Sequence, residues 1–252
     1  MHSITFDGTN SRAFCKLFVD GSNTFNAPER DIESIPIPGR NGELTIDNGR
    51  YKNMKVTYSA WIAENFNENA EKARNWLCRK TGYKILTDDY HPEEFRKARF
   101  VSGLNFSTIA GHEAGVTNLV FDCMPQRFLN SGLTPVSVVN GGQIENPSKM
   151  ESLPLYELTI VGSGTSQLRL TRTGGGYSYV TIKIPAGETF PFVMYLDAEL
   201  QRAYDGNNVS KDAYVTGTIP YIPGKVSSSS ITVSYNTSVI SGVTITPNWW
   251  IL

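Results

Sequence analysis

Histidine is the commonest general acid or base near neutral pH, because its unperturbed pKa lies there. The chain has three histidines, and none stands in a catalytic spacing. His2 lies near the start, His91 precedes Pro92 in a loop, and His112 falls in the glycine-bounded stretch Gly111 to Gly115, which reads as a hairpin turn. The adjacent acids Asp88-Asp89, just before His91-Pro92, come nearest to a reactive cluster: paired carboxylates can hold a cation or serve as acid and base in polysaccharide hydrolysis. A solvated loop accounts for the same residues more simply, since aspartate favours water. No GxSxG elbow, HExxH, GxxxxGK[ST] or helix-opening GxGxxG occurs, and Gly162-Ser163-Gly164 reads as a turn. Cys15, Cys78 and Cys123 are far apart, with no CxxC and no nearby histidine, so buried or inert thiols are expected. Neither catalysis nor a metal or other cofactor is expected.

The formal net charge of -1 and the 19% of charged residues, with acids and bases nearly balanced in each half, disfavour a general nucleic-acid binder. Partners must then be recognised by shape. No charged n-region with an apolar h-region opens the chain, and no apolar run approaches a membrane span, so a protein folding in a reducing cytoplasm is expected.

Short alternating runs separated by Gly, Asp, Asn and Ser clusters predict strands through the first half: Ile4 to Phe6, Phe14 to Val19, Lys55 to Ile62, Lys84 to Leu86, Phe95 to Phe106 and Val116 to Cys123. In the Lys55 run, Val56, Tyr58, Ala60 and Ile62 share a face that should be core. Between Ile35 and Leu44, Asn41-Gly42 should supply the positive φ angles of a tight hairpin. One helix is expected, with Asn67 as its cap, Glu68 and Glu71 near the positive dipole end and Gly82 as its stop. Ala70, Ala73, Trp76 and Leu77 give it an apolar stripe to lay on a sheet.

After Met124-Pro125 the composition turns to Gly, Ser, Thr and Asn, and Asn140-Gly141-Gly142 breaks the pairing. Strands then recur at regular intervals, at Leu155 to Val161, Leu168 to Thr171, Tyr179 to Ile184, Phe190 to Asp197, Ala213 to Thr218, Ser230 to Tyr235 and Val243 to Thr246, as in a β-sandwich or jelly roll. The fold class is therefore mainly β: an α+β first domain over residues 1–132, a β-sandwich with one helix, and a second β-sandwich over residues 133–252. Trp249-Trp250 should complete the second core, the alternative being that they pack against a neighbouring subunit, and Gly174-Gly175-Gly176 reads as a mobile loop tip.

Several stretches, in order, resemble the distal tail proteins of long-tailed non-contractile bacteriophages. They are Ile4-Thr5-Phe6-Asp7-Gly8, the turn Ile35-Pro36-Ile37-Pro38-Gly39-Arg40-Asn41-Gly42, the Trp-bearing helix and Leu119-Val120-Phe121-Asp122-Cys123-Met124-Pro125. In the second half they are Asn140-Gly141-Gly142, Pro154 to Ile160, Tyr195-Leu196-Asp197, Ile222-Pro223-Gly224 and Ile245-Thr246-Pro247-Asn248-Trp249-Trp250. The resemblance implies a tail-tube-like belt domain that closes as a homo-hexamer, in one ring or two stacked rings, around a channel that DNA traverses without specific binding. It implies a galectin-like second domain outside the ring, attached to tail tube, tail-associated lysin or hub, and receptor-binding or other baseplate proteins. The place implied is the distal tail tip of the virion, after synthesis in the host bacterial cytoplasm, with no membrane contact.

Edge strands that pair between subunits remove exposed edges, and balanced charge suits a channel that must not grip phosphates. Lys52, Lys55, Arg96, Lys97 and Arg99 are the cations that could face such a lumen. The turn Pro38, Gly39, Arg40, Asn41 and Gly42, with the strand from Lys55 to Ile62, is the expected subunit contact. The alternative is a carbohydrate-binding module for host cell-wall polysaccharide, with Tyr177, Tyr179 and Tyr204 stacking on sugar rings.

Overall fold

The structure, a computed structural model, describes residues 2–21, 24–109, 111, 113–225 and 230–252. They form two compact units, Met1–Arg127 with Leu252, and Phe128–Ile251. The chain is mainly β, as predicted.

The first unit runs β1 (Ile4–Phe6), β2 (Thr9–Asn10), α1 (Ser11–Cys15), β3 (Leu17–Asp20), β4 (Arg30–Pro36), β5 (Glu43–Tyr51), β6 (Met54–Ile62), α2 (Phe66–Cys78), β7 (Lys84–Asp88), β8 (Glu94–Phe100), β9 (Ser107–Ile109) and β10 (Ala114–Leu129). Its main sheet is ordered β2-β1-β7-β8-β10-β6-β3, with β9 also on β10. Within it β6 and β10 pair from Gly115↔Ile62 to Cys123↔Met54. Period-2 alternation buries Val56, Tyr58, Ala60 and Ile62 on one face, and α2 covers that face with Ala70, Ala73, Trp76 and Leu77. Tyr58 can be wholly buried because its hydroxyl donates to Asp88 Oδ2 at 2.7 Å.

Several local expectations are overturned. Phe14 lies in α1, not in a strand: Asn10 caps the helix by accepting from Ala13 N, and Lys16 ends it in the left-handed region. Ser11 and Cys15, four apart, are its buried residues, so the local period is helical. Helix α2 starts at Phe66, placing Asn67 in its first turn; Asn65 takes the cap position without a side-chain bond. The run from Phe95 to Phe106 breaks after Phe100, whereas β10 continues through Met124-Pro125 to Leu129. Cys78, at the end of α2, is exposed, while Cys15 and Cys123 are buried.

The second unit runs β11 (Val136–Val138), β12 (Gln143–Ile144), β13 (Leu155–Ile160), β14 (Gly164–Arg172), β15 (Tyr177–Ile184), β16 (Phe192–Asp197), β17 (Arg202–Asp205), β18 (Val215–Thr216), β19 (Ile231–Ser234), β20 (Ile240–Thr246) and β21 (Trp250–Ile251). Two sheets, β11-β20-β13-β16-β17 and β12-β19-β14-β15-β18, point alternate residues into one shared core, the arrangement of a sandwich. Tyr156, Leu158, Ile160, Leu168, Val180 and Ile182 are among its residues, and Trp249 joins them as the sequence predicts, whereas Trp250, expected there too, is half-buried and outside this core. The run from Ala213 to Thr218 gives only the two-residue β18, after a 3₁₀ turn over Asp212–Tyr214.

Candidate assembly interface

Among the described residues, strands β4 and β5 pair only with each other, from Pro36↔Glu43 at the tip to Arg30↔Tyr51 at the base, with an irregularity between Arg30 and Ile32. The connection is not the Asn41-Gly42 turn expected from the sequence. Arg40 N donates to Ile37 O at 3.2 Å, closing a turn with Pro38 and Gly39 at its centre. Gly39 (φ 77°) and Gly42 (φ 84°) carry the positive φ angles, and Asn41 does not. Proline followed by a left-handed glycine is the signature of a type II turn.

Cross-strand partners lie on the same side of a sheet. Ile35↔Leu44 and Glu33↔Ile46 therefore put Ile35, Leu44 and Ile46 on one face, while Ser34↔Thr45 and Pro36↔Glu43 line the other. In a half-buried strand this alternation marks a face on a core. Among the described residues no core cluster includes this face: Ile35 is 37% exposed, Leu44 48% and Ile46 41%, and Ile37 beside the turn is 36% exposed. A two-stranded hairpin is marginal in water, and an exposed apolar strand face invites pairing with another chain.

Charges gather at the base of this hairpin. Arg30 Nε meets Asp47 Oδ2 at 2.6 Å, and Arg50 Nε meets Asp31 Oδ2 at 2.7 Å. The Gly49 backbone N–H, then Arg30, hold the Asp47 carboxyl below its ordinary value. Arg50 does the same for Asp31. In water such pairs orient the arm more than they stabilise it.

The main sheet offers a second apolar surface on the side away from α2. Phe18, Trp61 and Val116 form one register row across β3, β6 and β10. The Phe18 and Trp61 rings stack at 6.0 Å, and Val116 is 41% exposed. The sequence identified the Lys55 to Ile62 strand by its buried residues; the outward Trp61 becomes informative only once β3 and β10 lie beside it.

The candidate chemical residues are brought together differently. Asp88 Oδ1 accepts from the backbone N–H groups of Tyr90 (3.0 Å) and His91 (2.9 Å), and Asp89 Oδ2 accepts from Ser3 N (2.6 Å) and Oγ (2.9 Å). The two carboxylates tie the β7–β8 turn to different groups instead of facing a shared ligand, so neither the catalytic pair nor a simply solvated loop describes them. His91 Nε2 lies 3.2 Å from Thr24 Oγ1 and its ring packs on Phe25. His2 is exposed, and His112 lies outside the described residues. Among the described residues no cluster of three His, Cys, Asp or Glu could hold a metal. Arg96 is buried, donating to Thr24 O and Met54 Sδ, so it leaves the set of cations that could face a channel.

No family model matches the chain, and no curated protein sequence matches it. Its fold is shared by solved structures of phage adsorption-apparatus and baseplate proteins. The crystal structure of the Dit protein of phage SPP1, described as a hub of the adsorption apparatus in phages infecting Gram-positive bacteria, matches all of both chains at a TM-score of 0.75 and 10% identity. A chain of the phage P2 baseplate in its activated, calcium-bound conformation matches 94% of this chain and 98% of its own length at a TM-score of 0.50 and 9% identity. At these identities the likeness is one of fold, and the resemblance read from the sequence holds at that level.

Proposed function

We propose that the chain is a structural hub protein of a phage tail tip, whose copies close into a hexameric ring around the channel for DNA. The belt is residues 1–132. The galectin-like sandwich, residues 133–252, attaches baseplate and receptor-binding proteins, while the ring also meets the tail tube and the lysin or hub beyond it. The role is one of assembly, without catalysis, and the site of action is the virion's distal tail.

The observation that carries this reading is the uncovered aliphatic face of β4–β5, on a chain whose fold matches a hub protein over its full length. In the proposed contact, the hairpin of one copy lies on the Phe18, Trp61 and Val116 row of the next, with the Pro38 to Gly42 turn at the rim. Such a contact joins two different surfaces, so it is heterologous and propagates until the ring closes. Light scattering on a sizing column over a concentration series tests it: a hexamer or a pair of stacked hexamers is expected, and a strict monomer at every concentration would overturn it.

A further inference from the structure

The outward side of the β12-β19-β14-β15-β18 sheet plays no part in the proposed ring, and its chemistry points elsewhere. Tyr177 and Tyr179 stand on the same side of β15, 60% and 45% exposed, with rings stacked at 6.0 Å and 30°. Register places Arg169 opposite Tyr179, Gln167 opposite Thr181, and Ser234 on the far side of Arg169. The Arg169 guanidinium lies 3.8 Å from the centroid of the Tyr177 ring, and its Nε is buried with no hydrogen-bond partner among the described residues. The arginine thus lies over an aromatic face and also lines an open groove of about 530 Å³, together with Asn140, Thr165, Gln167, Ser234 and Asn236. Tyr204, grouped with these tyrosines by the sequence, belongs to the other sheet and stacks on Tyr195.

We propose that this face binds an acidic oligosaccharide whose sugar rings carry carboxylates. A sugar ring has an apolar C–H face and a rim of hydroxyls, which match a tyrosine strip bordered by amide and hydroxyl side chains. The outward positions of β14 and β15 carry Arg169 and Lys183 and no carboxylate, so the complementary charge is negative. A guanidinium is matched in shape to a carboxylate, which it engages with two parallel N–H donors. Stacking with positive charge also suits single-stranded nucleic acid. Two outward cations on a chain of net charge -1 are too few to hold a phosphate backbone, and the groove, polar and uncharged apart from Arg169, favours the sugar.

The test is titration calorimetry of the full chain with a galacturonate hexamer, its methyl ester and a dT12 oligonucleotide. Saturable binding of the hexamer is expected, at least about fivefold tighter than the ester, since charge-assisted hydrogen bonds are roughly twice as strong as neutral ones. Tyr177→Ala should weaken it about tenfold and Tyr177→Phe hardly at all, because stacking needs the ring and not the hydroxyl. Arg169→Gln should erase the preference for acid over ester. Unchanged light scattering keeps loss of binding separate from loss of assembly. Absence of hexamer binding, equal binding of the ester, tighter binding of dT12, or indifference to Tyr177→Ala would each overturn the proposal.

Discussion

Replacing Leu44 and Ile46 by alanine together gives the sharpest view of the hairpin. Leu44 keeps 48% of its surface in the single chain and Ile46 41%, so a neighbouring copy has nearly half of each side chain left to cover. Full burial of such a side chain is worth about 1.5–3 kcal/mol, which leaves roughly 0.7–1.4 kcal/mol for each at the contact. The double variant should therefore lose about 1.4–2.8 kcal/mol per contact, a weakening of roughly 10- to 100-fold in pairwise association. Neither side chain belongs to the two buried cores, so thermal unfolding of the isolated chain should shift by no more than the ~0.5 kcal/mol typical of surface changes. Sedimentation velocity over a concentration series reads the association, and calorimetry reads the fold. Trp61→Ala on the receiving surface should act in the same direction. Wild-type assembly by Leu44→Ala/Ile46→Ala would refute the docking of this face, and a variant that unfolds early would show that the arm belongs to a core after all.

Other consequences concern the tip and the interior. Arg40→Glu should weaken assembly if the Pro38 to Gly42 turn lies in the contact; an unchanged sedimentation profile would remove the turn from it. Tyr58→Phe strips Asp88 Oδ2 of a buried donor and should cost about 1.5–3 kcal/mol, read as a drop of roughly 5–10 °C in the first unit's melting transition. Burial pushes the Cys15 thiol up to about 11 and Cys123 up to about 12, so in the native chain at pH 8 only exposed Cys78 should react with a thiol reagent. Because both folded values lie above the ordinary value of 9.0, their stabilising effect is complete below pH 9 and is lost as pH rises through about 11 and 12. A lower urea midpoint at pH 10.5 than at pH 8 would be the sign of it.

The strands that bury one face were legible because period-2 alternation marks a face turned to an apolar cover, and β6 shows it residue by residue. Helix α2 was legible from the spacing of Ala70, Ala73, Trp76 and Leu77, although its first residue was not, since Asn65 and Asn67 look equally able to cap it. Helix α1 escaped because its five residues span little more than a turn and its signal is a single Asn10 cap. Position in the fold escaped more often than type: Cys78 was expected to be buried or inert and faces outward, and Arg96 was among the cations that could face a channel and is buried. The interface escaped for a deeper reason. Ile35, Leu44 and Ile46 give the same alternation whether the covering surface belongs to this chain or to another, so only the three-dimensional arrangement reveals that the cover is missing. The aromatic face of β15 was visible as separate tyrosines, while its link to Arg169 depends on the β14–β15 register.

The hairpin also divides its forces along its length, ionic at Arg30, Asp31, Asp47 and Arg50 and aliphatic from Ile35 to Ile46. A contact made by the aliphatic part draws on water release, which is entropic near room temperature and lowers the heat capacity of the assembled state. Its hold should slacken on cooling and tighten with sulfate, while the ionic base answers to dilute salt in the opposite sense. One arm thus carries two thermometers: temperature reports on the reach of its tip, and ionic strength on the set of its root.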